Sequence, residues 1–298
     1  MKTKRTRHFD YWTIIFIAPA LIVYLLFLIV PAISSIYYSF TSWNGLDKTM
    51  NFIGLANYKE LLNLSNTRFI GAMVRTFIVA AVVAIGSNII ALILAVLVDR
   101  IRICKAFFRS AFYVPVLISG IVSGFIWKIM YNTNFGVLNH FLSAIGLDKL
   151  KNDWLGNPKT ALSAVIVTVL WQGVGYYMII YLAGLQAVPE ELTEAAGMDG
   201  ATSWQKFWRV TIPMLAGSIT INMTLALING MKVFDQISVM TSGGPGFSTE
   251  TMTYYIFKVA FGESRQGLGT AASIILFIFI LVFNGIQSKV LRSREVEM

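Results

Sequence analysis

The chain has 298 residues, of which 56% are hydrophobic and 13% are charged. Soluble domains carry about 25% charged residues, so this composition excludes the soluble, disordered, fibrous and disulfide-scaffold classes and indicates an integral membrane protein. The net charge of +9 is then first a signal of membrane orientation, and no nucleic-acid partner is predicted.

Six apolar stretches are long enough for membrane-spanning helices, each needing roughly 20 residues to cross the hydrocarbon core. Their continuous apolar runs are too long for barrel strands of about 10 residues. The predicted fold is therefore an all-α polytopic membrane protein with six transmembrane helices. The predicted spans are 13–40, 70–98, 110–131, 161–185, 213–234 and 267–287.

The first predicted span follows a basic leader, Met1–Arg7, as a signal peptide would. Its apolar run from Ile14 to Ile33 is longer than a usual signal core, and Tyr37–Phe40 offers no small-residue cleavage site. We therefore expect a retained helix. The predicted regions are a basic tail, a first helix with its outer loop, a core domain of five helices and a second tail, at 1–12, 13–68, 69–291 and 292–298.

Lysine and arginine divide unequally between the two sides of the membrane. The side formed by 1–12, 99–109, 186–212 and 288–298 holds 13 basic residues in 61 positions, and the other side holds 8 in 90. Cytoplasmic loops are the richer in Lys and Arg. Both termini and the loop between the fourth and fifth spans are therefore predicted to be cytoplasmic.

No Asp or Glu occupies the middle of any predicted span, where proton-coupled and ion-coupled transporters carry charge. The sequence also has no G-x-x-x-x-G-K-[ST] run to hold ATP phosphates. We therefore predict that active transport would draw its energy from another subunit. No catalytic set and no metal site are predicted, and both histidines, His8 and His140, are interpreted as solvent-exposed.

The predicted cytoplasmic loop at 189–213 has the pattern of two short helices joined by a turn. Pro189 suits a first helical position, Asp199-Gly200 indicates a turn, and Thr202 or Ser203 can cap a second helix. In that helix, three aromatic residues share a face: Trp204, Phe207 and Trp208. From the residues alone, the loop could be a partner-binding device or a hairpin lying on the membrane.

This loop resembles the EAA signature of ABC importer permeases, the inner-membrane components of binding-protein-dependent transport systems. The match comprises Glu194-Ala195-Ala196, then Gly200, then Val210-Thr-Ile212-Pro213. Further runs are similar to the subfamily that imports oligosaccharides and sn-glycerol 3-phosphate. They are Asn51–Tyr58, Trp154-Leu155, Trp171-Gln172-Gly173 with Tyr176-Tyr177, Asp235-Gln236 and Thr241–Pro245.

The resemblance implies that the loop is a coupling helix that docks on a cytoplasmic ATPase. The residues assigned to coupling are Glu194, Ala195, Ala196, Gly197, Asp199, Gly200 and Ala201. The implied partners are a second homologous permease in a heterodimer, two copies of an ABC ATPase and an extracytoplasmic solute-binding protein. The chain itself would bind no cofactor, since ATP and Mg belong to the ATPase. The implied location is the bacterial cytoplasmic membrane.

A sugar path needs aromatic faces and amide or hydroxyl groups inside the bundle. The fourth and fifth spans supply such groups, and the resemblance adds three small residues at matching positions. The path candidates are Trp171, Gln172, Gly173, Tyr176, Tyr177, Asn222, Ala226, Asn229 and Gly230. The alternative is that these aromatics and amides hold helices together.

Past the fifth span, Gly243–Gly246 is incompatible with a regular helix. This run is predicted to turn the chain before a short amphipathic segment at Thr249–Phe261, and the run either touches a solute-binding protein or forms a plain surface loop. The predicted function is a non-enzymatic permease subunit importing a carbohydrate. The rival functions are import of glycerol phosphate or a polyol, a stand-alone secondary transporter or channel, and a membrane-anchored assembly protein.

Overall fold

A computed structural model describes residues 11–101 and 103–293, except for the side chains of 11–14. Within these residues the fold is helical, and the strand-type pairing is an isolated bridge between Thr41 and Phe52. The all-α prediction is therefore confirmed for the described part of the chain. Most of both predicted tails, with His8, lies outside the described residues.

The helices before the predicted cytoplasmic loop are numbered in chain order, and α1 runs from Tyr11 to Tyr38 through a π-helical turn at Leu25–Ile29. The others are α2 (Ala56–Leu62), α3 (Thr67–Arg100), α4 (Lys105–Tyr113, followed by a 3-10 turn at Val114–Leu117), α5 (Gly120–Met130), α6 (Val137–Ala144) and α7 (Ala161–Gln186).

The loop and the C-terminal part add six more helices. They are α8 (Glu190–Met198), α9 (Ser203–Met214, with a π-helical turn at Phe207–Thr211), α10 (Ala216–Met231), α11 (Asp235–Met240), α12 (Met252–Phe257, with a π-helical turn at Lys258–Gly262) and α13 (Gln266–Arg292).

Four of the helices in the described part are long and apolar enough to cross a membrane: Ile15–Tyr38, Thr67–Arg100, Ala161–Gln186 and Gln266–Arg292. They coincide with the first, second, fourth and sixth predicted spans. The number of crossings becomes six if each of two bent helix pairs counts as one.

The third predicted span is not one helix. α4 with its 3-10 turn meets α5 at an angle of 99°. Pro115 lies in the turn, where its ring removes a backbone donor, and Ile118 is extended. Ser119 then caps α5 by accepting a hydrogen bond from the Val122 N–H at 3.3 Å. The prediction of an uninterrupted helix over 110–131 is therefore wrong.

The fifth predicted span is interrupted at two places. α9 contains Pro213 and lies at 68° to the helical stretch Ala216–Met240. That stretch breaks again between Met231 and Asp235, where Lys232 has φ −105° and ψ 8°. The prediction of one continuous helix over 213–234 is therefore also wrong, although Pro213 does mark the bend into α10.

The core of the molecule is the packing of α3 against α7 and α10. Small residues on α3 permit this contact, and Ala80, Ala84, Ala91 and Ala95 are buried. Buried amides add hydrogen bonds between the helices: the Tyr181 hydroxyl donates to Asn88 Oδ1 at 2.5 Å, and Asn222 Nδ2 donates to the Tyr177 carbonyl at 3.0 Å. Polar pairs of this kind hold apolar helices together.

At the opposite end of α3 from the loop, an ion cluster holds the segment between α11 and α13. Glu250 is 1% exposed and accepts two hydrogen bonds from the Arg68 guanidinium, at 2.8 and 2.9 Å. Arg68 also contacts Glu263 at 2.6 Å, and Arg75 Nε donates to the Glu250 carbonyl at 2.8 Å. The predicted amphipathic segment at Thr249–Phe261 is confirmed as α12 and its π-helical turn, with Tyr255 among its buried residues.

A second ion pair joins α2 to the start of α13. Arg265 donates to both carboxylate oxygens of Glu60, at 2.6 and 2.7 Å, and this hydrogen bonding raises the pKa of Arg265. In α2, Asn57 donates to the carbonyls of Ser39 and Thr41, each at 2.9 Å. The loop after α1 is thereby attached to the rest of the fold.

Replacing Glu250 with Gln is expected to destabilise the protein more than replacing Glu263 with Gln. Removing one partner of a buried ion pair costs on the order of 3 kcal/mol, whereas an exposed pair contributes about 0–1 kcal/mol, and the Glu263 side chain is 35% exposed. The measurement is the melting temperature of each purified variant in detergent. Equal decreases in melting temperature for the two variants would show that the burial of Glu250 does not increase its contribution to stability.

Gly230→Ala is expected to weaken the contact of α10 with α3. A Cβ at Gly230 would lie 2.7 Å from the Cα of Ala80, which is backbone and cannot rotate away. Such overpacking costs about 1–3 kcal/mol. Gly217→Ala in the same helix is the matched control, because its Cβ would meet nothing within 4 Å and should gain up to about 1 kcal/mol of helix propensity. Thermal melting compares the two, and an unchanged Gly230→Ala variant contradicts the close packing.

Candidate functional site

The predicted coupling residues lie together on a helix–turn–helix, as the sequence pattern indicates. α8 begins at Glu190, so Pro189 is not its first residue but the extended residue before it. The turn follows at Asp199-Gly200, and Thr202 caps α9. Thr202 and Gln205 form a reciprocal capping box, with hydrogen bonds of 2.8 and 3.3 Å.

Gly200 ends α8 in a left-handed conformation, with φ +78°. Its N–H donates to the Gly197 carbonyl at 3.1 Å, and the Ala201 N–H donates to the Ala196 carbonyl at 2.9 Å. This pair of hydrogen bonds is a Schellman motif, in which glycine is favoured because it carries no Cβ. Gly200 therefore fixes where α8 ends and how the chain returns to α9.

Every residue of α8 is at least partly exposed. Glu194 and Ala195 are exposed, and Ala196 is half-buried. Gly197 faces α9, since a Cβ there would lie 2.6 Å from Lys206 Nζ. The loop thus presents small residues and acidic side chains on a surface that the described part of the chain leaves exposed.

A second candidate site is a cavity of about 330 Å³ where α7 meets the break between α10 and α11. Four of the predicted path residues line it: Gln172, Gly173, Tyr177 and Asn229. Gln236 Nε2 donates to Gln172 Oε1 at 2.7 Å, and Asn229 Nδ2 donates to the Tyr177 hydroxyl at 3.1 Å. The wall therefore contains two hydrogen-bonded pairs, one between two amides and one between an amide and a phenol.

The other five predicted path residues lie elsewhere. Trp171 lines a separate apolar cavity of about 450 Å³ with Phe112 of α4, and its ring packs 5.5 Å from that of Trp127. Tyr176 is exposed. The remaining three residues contribute to helix packing. Asn222 donates a hydrogen bond to the Tyr177 carbonyl, Ala226 is fully buried, and Gly230 lies against α3.

The sequence candidates did not include the two charged residues of the cavity or the glutamine beside them: Lys232, Asp235 and Gln236. They flank the break between α10 and α11, which the predicted span 213–234 ran through. Within the described residues, neither Lys232 nor Asp235 forms an ion pair. The sequence did contain a signal for them, because a lysine and an aspartate lie three positions apart at the end of an apolar run. Charged residues at membrane depth indicate a functional site.

Comparison with known proteins identifies the family. The model of the binding-protein-dependent transport system inner membrane component matches residues 102–295. A probable starch degradation products transport system permease protein, AmyD of Thermoanaerobacterium thermosulfurigenes, is 37% identical over 96% of both chains. The multiple sugar-binding transport system permease protein MsmF of Streptococcus mutans is 35% identical over 96% of this chain and 97% of its own.

A solved structure shows the same fold. A chain of a bacterial alginate ABC transporter, crystallised with a periplasmic protein carrying an alginate pentasaccharide, superposes with a TM-score of 0.82. Its sequence is 23% identical over 93% of each chain. The curated relatives are named as transport permeases, and the described helices are those of a multi-pass membrane protein. The chain belongs to the family of inner-membrane components of binding-protein-dependent transport systems.

Proposed function

We propose that the chain is the permease subunit of an ATP-driven carbohydrate importer in a bacterial cytoplasmic membrane. The proposed solute is an oligosaccharide. The observation that carries the proposal is the amide-lined cavity at the break between α10 and α11. Its volume falls within the usual range of about 300–1,000 Å³ for ligand sites. The relatives that are named for starch products and multiple sugars support the same solute class.

The proposed topology has six crossings with both termini in the cytoplasm. It counts the bent α4–α5 pair and the α10–α11 stretch as the third and fifth crossings. The denser basic charge on the α8 side of the sequence supports this orientation. α8 then lies in the cytoplasm, and the loops after α1, α5 and α11 face outward.

The chemistry of the cavity suits sugar hydroxyls. Amide groups and the Tyr177 hydroxyl each offer both donor and acceptor atoms, and Gln236 retains a carbonyl oxygen beyond its bond to Gln172. Lys232 and Asp235 bring opposite charges to one cavity, so its formal charge is balanced. A neutral solute with many hydroxyls matches such a wall.

The proposed mechanism is alternating access driven by separate subunits. Two copies of a cytoplasmic ATPase, carrying ATP and Mg, would dock on α8 of this chain and on the equivalent helix of a second, homologous permease. A solute-binding protein would deliver the sugar from outside. The exposed small residues of α8 and its fixed C-terminal turn support the docking role. This subunit would perform no chemistry itself.

A second candidate solute is an organic phosphate, because Lys232 lines the cavity without an ion pair in the described part of the chain. Uptake of labelled sn-glycerol 3-phosphate in place of malto-oligosaccharides would favour it. ATP-independent uptake by the chain alone in liposomes would instead favour a secondary transporter.

Gln236→Leu is expected to slow uptake of labelled malto-oligosaccharides by the complete transporter in proteoliposomes with saturating binding protein. Loss of one hydrogen bond to a hydroxyl is worth about 0.5–1.5 kcal/mol, which corresponds to roughly a 2- to 10-fold lower maximal rate. Gln186→Leu is the control, since Gln186 is exposed at the end of α7 and remote from the cavity.

The melting temperature separates two roles for Gln236. A slower rate at an unchanged melting temperature supports a place on the path. A melting temperature that falls with the rate supports helix packing, and an unaltered rate removes Gln236 from the path.

Gly200→Val is expected to lower uptake and the co-purification of the ATPase, while Gly200→Asn retains most of both. A side chain in the left-handed region costs about 1–2 kcal/mol, which lowers the population of the native turn at the end of α8 roughly 5- to 30-fold. Asparagine tolerates that region better than valine. No neighbouring atom lies within 4 Å of the Cβ position, so strain at the end of α8 is the expected cause.

Gly146→Val is the matched control for Gly200→Val. Gly146 also has φ +78° and open space at its Cβ position, and it ends α6 with the same pair of hydrogen bonds, at 3.0 and 2.8 Å. It lies in the loop proposed to face outward. If Gly146→Val impairs ATPase co-purification as much as Gly200→Val, then α8 has no special part in docking.

A further inference from the structure

The two sides of α9 differ in their surroundings. One side lines a cavity of about 260 Å³ against the ends of α3 and α7, with Lys206, Phe207 and Thr211 facing Val96 and Leu185. The other side is left exposed by the residues that the structure describes. Phe207 lies at the border of the two sides, since it lines this cavity while its ring packs edge to face against Trp208 at 5.5 Å.

The uncovered side consists of two tryptophans with polar neighbours. Trp204 is 70% exposed and Trp208 is 50% exposed, and their rings pack edge to face at 5.5 Å. Gln205 and Arg209 are exposed beside them. Within the described residues, Arg209 has no ion-pair partner. Two large aromatic faces in water are unfavourable, so something beyond the described residues is expected to cover them.

The direction of α9 indicates what that is. The helix lies at 68° to the stretch Ala216–Met240, into which it leads directly. Spanning helices tilt by about 20° on average from the bilayer normal, so α9 lies closer to the membrane plane than to the normal. Its position beside the ends of α3 and α7 places it at the level where those long helices leave the apolar layer.

The chemistry of the uncovered side fits that level. Tryptophan is enriched where hydrocarbon meets headgroups, and in-plane helices combine aromatic residues with Lys or Arg that attract anionic lipids. α8, in contrast, carries three of the loop's four acidic residues, Glu190, Glu191 and Glu194, and the fourth, Asp199, follows its last residue. Acidic side chains are repelled by an anionic surface, so α8 points to a protein partner and α9 to lipid.

We propose that α9 is an interfacial anchor, with Trp204 and Trp208 inserted among the lipid headgroups and Arg209 beside anionic phosphates. The anchor holds the base of α8 at a fixed height above the membrane. It is independent of which solute is carried, and the coupling loop therefore has two surfaces with different occupants.

The experiment measures depth with nitroxide labels. Cys104, the one native cysteine, is replaced by Ser, and single cysteines are introduced as Trp204→Cys, Trp208→Cys and, as the control, Met198→Cys, since Met198 is 84% exposed on α8. Each full chain is reconstituted in vesicles of phosphatidylethanolamine and phosphatidylglycerol, with and without the ATPase. Collision with oxygen, which concentrates in lipid, is compared with collision with a water-soluble nickel chelate.

The expected result is a several-fold higher ratio of oxygen to nickel collisions at 204 and 208 than at 198, already present without the ATPase. Two results would overturn the anchor. Labels at 204 and 208 that meet the nickel chelate freely, and lose that access only when the ATPase is added, would assign the surface to the ATPase. Equal access at all three positions in both preparations would leave the surface in water. Gel filtration and the melting temperature of each labelled variant establish that it is folded.

Discussion

The hydrogen bond from Gln172 Nε2 to the carbonyl of Ile118, at 2.6 Å, satisfies the backbone where the third predicted span breaks. In an apolar environment, every backbone carbonyl that leaves a helix needs another partner. At the 99° bend between α4 and α5, a side chain of α7 supplies this partner for the Ile118 carbonyl. The second break obeys the same rule, since Thr251 and Thr253 both donate to the Val233 carbonyl, at 3.1 and 2.6 Å.

The break between α10 and α11 lines the cavity, and Gln172, which also lines it, bonds the break at Ile118. If 110–131 and 213–234 were continuous helices, their backbone groups would be paired within each helix. The side-chain amides of α7 and α11 would then have no free backbone carbonyl to bond. Instead Gln236 donates to Gln172, which donates to Ile118, and the chain of amides forms one wall. Irregular backbone at membrane depth is tolerated where it lines a cavity. The side-chain amides that form hydrogen bonds at the breaks, those of Gln172 and Gln236, are thus the same groups that we propose bind the solute.

Local sequence was sufficient for some elements and insufficient for others. α3, α7 and α13 were predictable because each is one long apolar run, and the end of α8 was predictable because Asp199-Gly200 is a local turn signal. The break at Ile118 was not, since its stability depends on Gln172, 54 positions away. The same limit explains the missed cavity residues: Lys232 and Gln236 became neighbours of Gln172 only through the packing of α7 against the broken helix.

The arrangement also indicates where movement is feasible. α9 rests on the ends of α3 and α7, and these two helices are joined to each other and to α10 by buried hydrogen bonds from Tyr181 and Asn222. Breaking such bonds in an apolar interior leaves unsatisfied groups, each costing about 1–3 kcal/mol, so the three helices should move as one body. The interruptions at Ile118 and Lys232 lack continuous helical hydrogen bonding, and a change of angle there costs fewer bonds. If α8 is displaced as proposed, the three-helix unit would carry the displacement and the chain would bend at Ile118 and at Lys232, the second of which lines the cavity.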